Sequence, residues 1–198
     1  FLHAQRLQEI GYRLSTKRDP FYERRVMKSD EEVRHIEAAQ RATETAVAAA
    51  HESLRRAEIR ENVLWLDGAV LTSERVKKLI NVALMECGCV AQHTIVAGGE
   101  QACDPHDEGS GPLPAHRSII FDVFPRSADS RYFADMSRTV VRGRPSPELT
   151  KLYQTVKDAQ EEAITKIRDG ADGAVIHQGI CDRFEKAGYK TGLVKGRM

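Results

Sequence analysis

The sequence predicts an α+β fold made of two helix–helix–strand units, the second of which ends before its strands. In each unit, a long amphipathic helix precedes a shorter one. Between the units, at 118–141, two β-prone apolar runs flank a polar turn, a pattern typical of a β-hairpin. The same order of elements therefore occurs twice, as expected of a coarse internal repeat with an incomplete second copy.

The predicted helices begin at residues that favour helix N-termini. The first start is a capping box, Ser-Asp-Glu-Glu, and the third places a proline directly after a serine. The start residues are Ser29, Thr72 or Ser73, Ser146 and Asp172.

Apolar residues recur with helical spacing behind these starts, and we expect each stripe to face the interior. The stripes of the two long helices are Val33, Ile36, Ala39, Val47, Ala50 and Leu54 in the first, and Leu149, Leu152, Tyr153, Val156, Ala159, Ala163, Ile164 and Ile167 in the second. Those of the shorter helices are Val76, Leu79, Ile80, Ala83 and Leu84, and Val175, Ile176, Ile180 and Phe184.

The composition is typical of a soluble globular protein with one sizeable core. Hydrophobic residues make up 41% of the 198 positions and charged residues 30%, with a net charge of +1. The near-zero charge argues against nucleic acid or a membrane surface as a partner. The four cysteines lack zinc-finger spacing, and the sequence shows no signal peptide or membrane span, so we expect reduced thiols and a cytoplasmic location.

The domain boundary is predicted at the first capping box. Residues 1–28 form a short amphipathic stretch and a charged segment broken by Pro20, which we interpret as the tail of a preceding domain and a linker. Residues 29–198 are then part of a second domain.

The hairpin carries one aspartate near the centre of each predicted strand. If Asp122 faces Asp135, the two carboxylates lie about 4.5–5.5 Å apart at Cβ and repel each other unless cations lie between them. Metal ions about 3.5–4 Å apart, as in two-metal hydrolytic sites, would fit that gap. The alternative is an ordinary hairpin with one aspartate in solvent. This register also pairs Phe124 with Phe133, Ile120 with Ser137 and Arg126 with Arg131, around a loop at 127–130.

A histidine precedes the hairpin in a loop rich in glycine and proline. His106 lies in the stretch DPHDEGSG, and catalytic groups collect in loops that a rigid scaffold positions. The alternative is a solvent-exposed loop residue, which would be the favoured interpretation without the neighbouring hairpin.

Several stretches resemble the pita-bread metallopeptidases, a family that includes Xaa-Pro aminopeptidase, prolidase, methionine aminopeptidase and creatinase. The similarity is strongest in VAGGEQACDPHDEGSGPL, IIFDVFP and YFADMSRTVVRG, and continues in LYQTVKDAQEEAITKIRDG and AGYKTG. The segment KSDEEVRHIEAAQ favours the proline-peptidase branch. The resemblance implies the pita-bread fold, a pseudo-twofold repeat of which this chain holds the second copy incompletely.

The resemblance also implies a site and a reaction. Asp122 and Asp135 fall on metal-binding positions for two divalent ions, commonly manganese, cobalt or zinc. His106 falls on a histidine that contacts the scissile amide, and Ser137 falls near a hydroxyl that supports the second metal. A bridging metal-bound hydroxide would hydrolyse the bond between an N-terminal residue and proline. Family members often form dimers, so a homodimer is compatible with the resemblance.

Two departures from the family pattern bear on these expectations. The two aspartates are 13 positions apart, two more than is usual in the family. The remaining ligands, a histidine and two glutamates, are expected beyond Met198, so this chain would hold only part of the site.

Two other functions stay open on the same fold. One is a creatinase-like C–N hydrolase, and the other is a pita-bread binding module without metal. The presence of both aspartates and of His106 argues against the binding module, because two neighbouring carboxylates are a net cost without a cation.

Overall fold

The computed structural model describes residues 2–16 and 22–191, which form five α-helices and eight short strands. The helices are α1 (Leu2–Glu9), α2 (Asp30–Arg56), α3 (Ser73–Glu86), α4 (Pro147–Lys166) and α5 (Gly173–Lys186). The strands are β1 (Glu58–Arg60), β2 (Val63–Leu66), β3 (Ala69–Val70), β4 (Cys89–Val90), β5 (Ile95–Gly98), β6 (Ile119–Val123), β7 (Arg126–Ser127) and β8 (Met136–Val140). The predicted order of helices and strands is confirmed, whereas part of the predicted linker, at 17–21, lies outside the described residues.

The helix starts follow the predicted capping chemistry. At α2, the Ser29 hydroxyl accepts from the Glu32 amide at 3.3 Å, while the Glu32 carboxylate accepts from the Ser29 amide at 2.7 Å. Thr72, rather than Ser73, caps α3. These side chains satisfy amide groups that the first turn of a helix leaves without partners, so the capping residues mark where α2 and α3 begin.

The core lies between α2, α3 and one face of a three-stranded antiparallel sheet with the order β5-β6-β8. Along β6, residues alternate between buried and partly exposed, and Phe121 is fully buried at the centre. Alanines of α2, including Ala46 and Ala50, are also fully buried, which lets the helix lie close to its neighbours. The face of the sheet that carries Asp122 therefore points away from this core.

Two smaller sheets surround this core. Strands β1, β2 and β3 form an antiparallel meander after α2, and β4 pairs with β7 beside the tip of the hairpin. Among the described residues, none of the helices combines the length and apolar character that a membrane span needs.

The predicted burial of the α4 and α5 stripes is largely wrong. Ala159 is buried, but Tyr153 is 51% exposed, Ile164 is 60% exposed and Val175 is 68% exposed. The reason is that α4 and α5 pack mainly on each other, and no described element lies over their outer apolar face. The sequence pattern correctly located the apolar face of each helix but not what covers it.

Ion pairs join the two helices. The Arg183 guanidinium donates to the Glu162 carboxylate at 2.6 Å, and the Lys166 ammonium lies at the same distance from that carboxylate. Hydrogen bonds from Lys166 and Arg183, reinforced by their charges, lower the pKa of Glu162 to about 2.

The ion pairs of Glu162 with Lys166 and Arg183 should make the stability of the chain depend on pH below about 4.5. The folded pKa of Glu162 lies below its ordinary value of 4.5, so the unfolded chain binds more protons than the folded chain between about pH 2 and 4.5. The stabilisation from Glu162 is therefore present above about pH 4.5 and is lost as the pH falls toward about 2. We expect Glu162→Gln to lower the free energy of unfolding at neutral pH and to have a smaller effect near pH 2, measured by urea denaturation. Glu161→Gln, next to it and in an exposed pair with Lys157 at 3.7 Å, is the matched control and should show little change. Equal losses at both pH values would contradict this account.

Candidate metal centre

The hairpin pairs in a register two residues away from the predicted one. Strands β6 and β8 place Asp122 opposite Ser137 and Val123 opposite Met136, so Asp122 does not face Asp135. The same register continues to the tip, where the Ser127 amide donates to the Tyr132 carbonyl at 2.9 Å. The loop is therefore 128–131, and the predicted pairs of Ile120 with Ser137 and of Arg126 with Arg131 are wrong.

The turn explains the shift in register. Ser127 belongs to β7, which pairs with β4, so the strand extends one residue further than the sequence analysis placed it. The Ser127 hydroxyl accepts from the Ser130 amide at 3.2 Å, and Arg131 has a φ of 66°. This left-handed residue closes the turn one position later than predicted.

The two carboxylates still lie side by side. Because strand side chains alternate and the register shifts by an even number, Asp122 and Asp135 stay on one face and become diagonal neighbours. Partial burial of its carboxyl group raises the pKa of Asp135, and the charge of Asp122 and a hydrogen bond between the two side chains raise it further. The two carboxylates are therefore close enough for the charge of one to disfavour ionisation of the other.

Ser137 lies directly across the ladder from Asp122. Its hydroxyl donates to the Asp122 Oδ1 atom at 2.5 Å. This bond helps to fix the orientation of the Asp122 carboxylate beside Asp135.

The donor set fits a divalent cation that prefers oxygen ligands. Two carboxylates in contact, one of them with a raised pKa, are stabilised by a positive charge between them. Within residues 2–16 and 22–191, however, no third histidine, cysteine, aspartate or glutamate joins them in a potential metal-binding group. Asp122 and Asp135 can therefore hold one side of a metal centre, and the other ligands would have to come from outside the described residues.

His106 lies at an exposed position in the loop that follows β5. The loop returns along the sheet, because the Val96 amide donates to the Glu108 carbonyl at 3.0 Å. Val96 pairs with Phe121, the neighbour of Asp122, so this part of the loop reaches the level of the carboxylates. Among the described residues, no hydrogen bond or ion pair holds the His106 side chain, and the structure shows no contact between it and either aspartate.

Two long side chains of α3 anchor this loop, and the sequence analysis did not identify them. The Lys77 ammonium donates to the Gly109 carbonyl at 2.8 Å, and the Glu74 carboxylate accepts from the Gly111 amide at 2.9 Å. The Gly111 amide is the main cause of a lowered pKa of Glu74. Both side chains lie on a helix whose pattern predicts only an apolar inner face, so no sequence signal links them to a loop more than 30 positions away.

Comparison with known proteins identifies the family. Residues 34–196 match the metallopeptidase family M24. The chain belongs to this family. It is 31% identical over 135 residues to Xaa-Pro aminopeptidase 1 of Streptomyces coelicolor, covering 66% of this chain and 27% of the relative. It is also 31% identical over 100 residues to the Xaa-Pro dipeptidase of Lactobacillus helveticus, covering 48% of this chain and 26% of the relative.

Solved structures show the same fold. The prolidase of Pyrococcus furiosus superimposes with a TM-score of 0.71 at 24% identity, over 83% of this chain and 45% of the prolidase chain. The pita-bread fold that the resemblance implied is therefore confirmed. The match spans about a quarter of the length of the two curated M24 relatives and less than half of the solved prolidase chain.

The packing of Gly109 yields a test of how rigidly the His106 loop is held. Gly109 has a φ of 77°, and a Cβ there would lie 1.9 Å from the Val96 carbonyl oxygen; Gly111, with a φ of 70°, has no atom within 4 Å of that position. We expect Gly111→Ala to cost about 1–2 kcal/mol of unfolding free energy through left-handed strain, and Gly109→Ala about 1–3 kcal/mol more through the clash. Thermal unfolding measures both, and equal losses would show that the loop is not packed on β5 as described.

Proposed function

We propose that the protein is a metal-dependent Xaa-Pro peptidase that hydrolyses the peptide bond between an N-terminal residue and proline. The observation that carries the proposal is the pair of adjacent carboxylates, Asp122 and Asp135, on the face of the sheet that points away from the core. Membership of family M24 and similarity to proteins named Xaa-Pro aminopeptidase and Xaa-Pro dipeptidase support proline-directed peptidase chemistry.

Asp122 and Asp135 would hold two divalent ions, manganese, cobalt or zinc, together with ligands from outside the described residues. Divalent ions held there would acidify a water molecule and stabilise the negative charge that develops on the scissile carbonyl oxygen. Ser137 keeps Asp122 in one orientation through its 2.5 Å hydrogen bond. Because the orientation is set in advance, the carboxylate does not need to reorganise when a ligand binds.

His106 would act on the substrate rather than on the metal. Its ring lies on an exposed loop whose backbone Asp104 and Asp107 shape through hydrogen bonds to the amides of His106 and Gly109, at 2.9 Å and 2.8 Å. A ring N–H presented from this loop can donate to the amide group at the scissile bond as charge develops there. This role requires that the loop position the ring while leaving its side chain accessible to the peptide.

Loss of either carboxylate should abolish turnover. We expect Asp122→Asn and Asp135→Asn each to remove detectable release of proline from the dipeptide Ala-Pro by the complete, manganese-loaded protein, since each substitution removes a charged ligand. Asp129→Asn is the matched control, because Asp129 lies exposed in the turn of the same hairpin and should leave turnover unchanged. Creatine serves as the alternative substrate: its hydrolysis in place of Ala-Pro would overturn the proposed specificity.

His106→Ala should slow turnover by roughly 10²–10³-fold while the bound metal remains, as expected for loss of a donor to the developing oxyanion. The measurement is the turnover number for Ala-Pro alongside metal content by elemental analysis. His177→Ala, an exposed histidine on α5, provides the control. A His106→Ala protein that lost its metal would show that His106 is a ligand and that the role assigned to it is wrong.

A further inference from the structure

A row of three side chains crosses three strands near the tip of the hairpin. Arg126 pairs directly with Val90 of β4 on one side and with Phe133 on the other. Directly opposed residues in antiparallel strands project their side chains to the same face, where their Cβ atoms lie about 4.5–5.5 Å apart. The row Val90–Arg126–Phe133 therefore places a guanidinium between two apolar side chains.

This row lies on the face that carries the carboxylates. Counting back from Arg126 in steps of two reaches Asp122, and counting forward from Phe133 in steps of two reaches Asp135 and then Ser137. The two strands stay paired in the same register between these positions, because the Ala134 amide donates to the Pro125 carbonyl at 3.1 Å. The alternation of faces is therefore not interrupted. The row is thus the continuation of the carboxylate pair toward the tip.

Two members of the row are exposed, and the guanidinium of the third has no partner in the part of the chain that the structure describes. Val90 is 49% exposed and Phe133 is 60% exposed. Arg126 is partly buried, and its guanidinium forms no hydrogen bond or ion pair with any residue in 2–16 or 22–191. Other arginines of this part of the chain do find partners, as Arg142 does at the Ala57 carbonyl, 2.9 Å away. A partly buried arginine whose guanidinium has no partner among the described residues, with apolar side chains on both sides, is suited to an anionic group attached to an apolar one.

We propose that Val90, Arg126 and Phe133 form a substrate subsite that binds the C-terminal carboxylate of a peptide one residue longer than Xaa-Pro. The inference rests on the proposed peptidase function. Phe133 is two residues from Asp135 and Arg126 is four residues from Asp122, so along the strands the row lies about 7 Å from the first carboxylate and about 13 Å from the second. Two residues of extended peptide span about the distance from Asp135 to the row, so a scissile bond held at Asp135 places the carboxylate on the residue after proline. Arg126 pairs with that carboxylate, and Val90 and Phe133 contact the side chain beside it.

The test compares Ala-Pro-Ala with Ala-Pro-Ala-amide, which lacks the terminal negative charge, as substrates of the complete, manganese-loaded protein. We expect the free acid to have a KM roughly 10- to 100-fold lower than the amide, the range expected for a hydrogen bond between charged groups. Arg126→Gln should raise the KM of the acid to that of the amide, with kcat unchanged and with little effect on the dipeptide Ala-Pro, whose carboxylate lies one residue short of the row. Equal KM values for acid and amide in the unmodified protein, with both cleaved, would overturn the subsite and leave the peptidase function intact.

The matched control is Arg131→Asn, which removes one positive charge from the same hairpin. Arg131 lies in the turn with a φ of 66°, a conformation that asparagine tolerates, so the backbone should not change. This variant should keep the preference for the free acid; if it loses the preference as Arg126→Gln does, the effect is one of overall charge and the subsite is overturned.

If neither tripeptide is cleaved, the proposed function fails, and equilibrium binding then decides the subsite. Calorimetric titration with the product-like peptides Pro-Ala and Pro-Ala-amide should show tighter binding of the acid, and the preference should disappear in Arg126→Gln. Equal affinity for both peptides in the unmodified protein would overturn the subsite.

Discussion

Two carboxylates held side by side repel each other, and the hairpin formed by β6 and β8 holds Asp122 and Asp135 in this arrangement. The opposite face of the same strands fixes which side chains point inward, because Phe121 and its neighbours are buried against α2 and α3. A slip of one residue would turn Phe121 outward and the carboxylates inward, so the packing energy of the core resists any relief of the repulsion by that route. The charge must instead be balanced by a proton, which the raised pKa of Asp135 favours, or by a cation.

The carboxylate pair has a firmly held loop on one side and exposed side chains on the other. The side toward α3 is rigid, because Gly109 packs on the Val96 carbonyl, and Lys77 and Glu74 hold the ends of the segment that follows His106. The outward face of the hairpin is open and carries exposed side chains up to its tip. Such a division suits a site that keeps its own groups fixed while a peptide and further ligands approach from one direction.

The sequence predicted the elements and the faces but not the details that depend on contacts between distant segments. Capping residues such as Ser29 and Ser146 predicted the helix starts, and the hairpin pattern together with the family resemblance singled out Asp122 and Asp135. The pairing of the hairpin was two residues off, because an even shift keeps every side chain on its predicted face, so hydrophobic patterning cannot distinguish the two registers. Only the turn geometry around Ser127, stabilised by pairing with β4, distinguishes them. A periodic pattern shows which side of a helix is apolar but carries no information about what covers that side. The sequence therefore located the apolar faces of α4 and α5 but could not predict whether they are buried.

Metal content per chain tests the central claim most directly. The complete protein, purified with manganese present, would be analysed by elemental analysis beside a variant carrying both Asp122→Asn and Asp135→Asn and beside the Asp129→Asn control. We predict two manganese ions per chain in the unmodified protein and in the control, and loss of bound metal in the double variant. Metal content that is unchanged in the double variant, or absent from the unmodified protein, would show that the carboxylate pair does not form a metal centre.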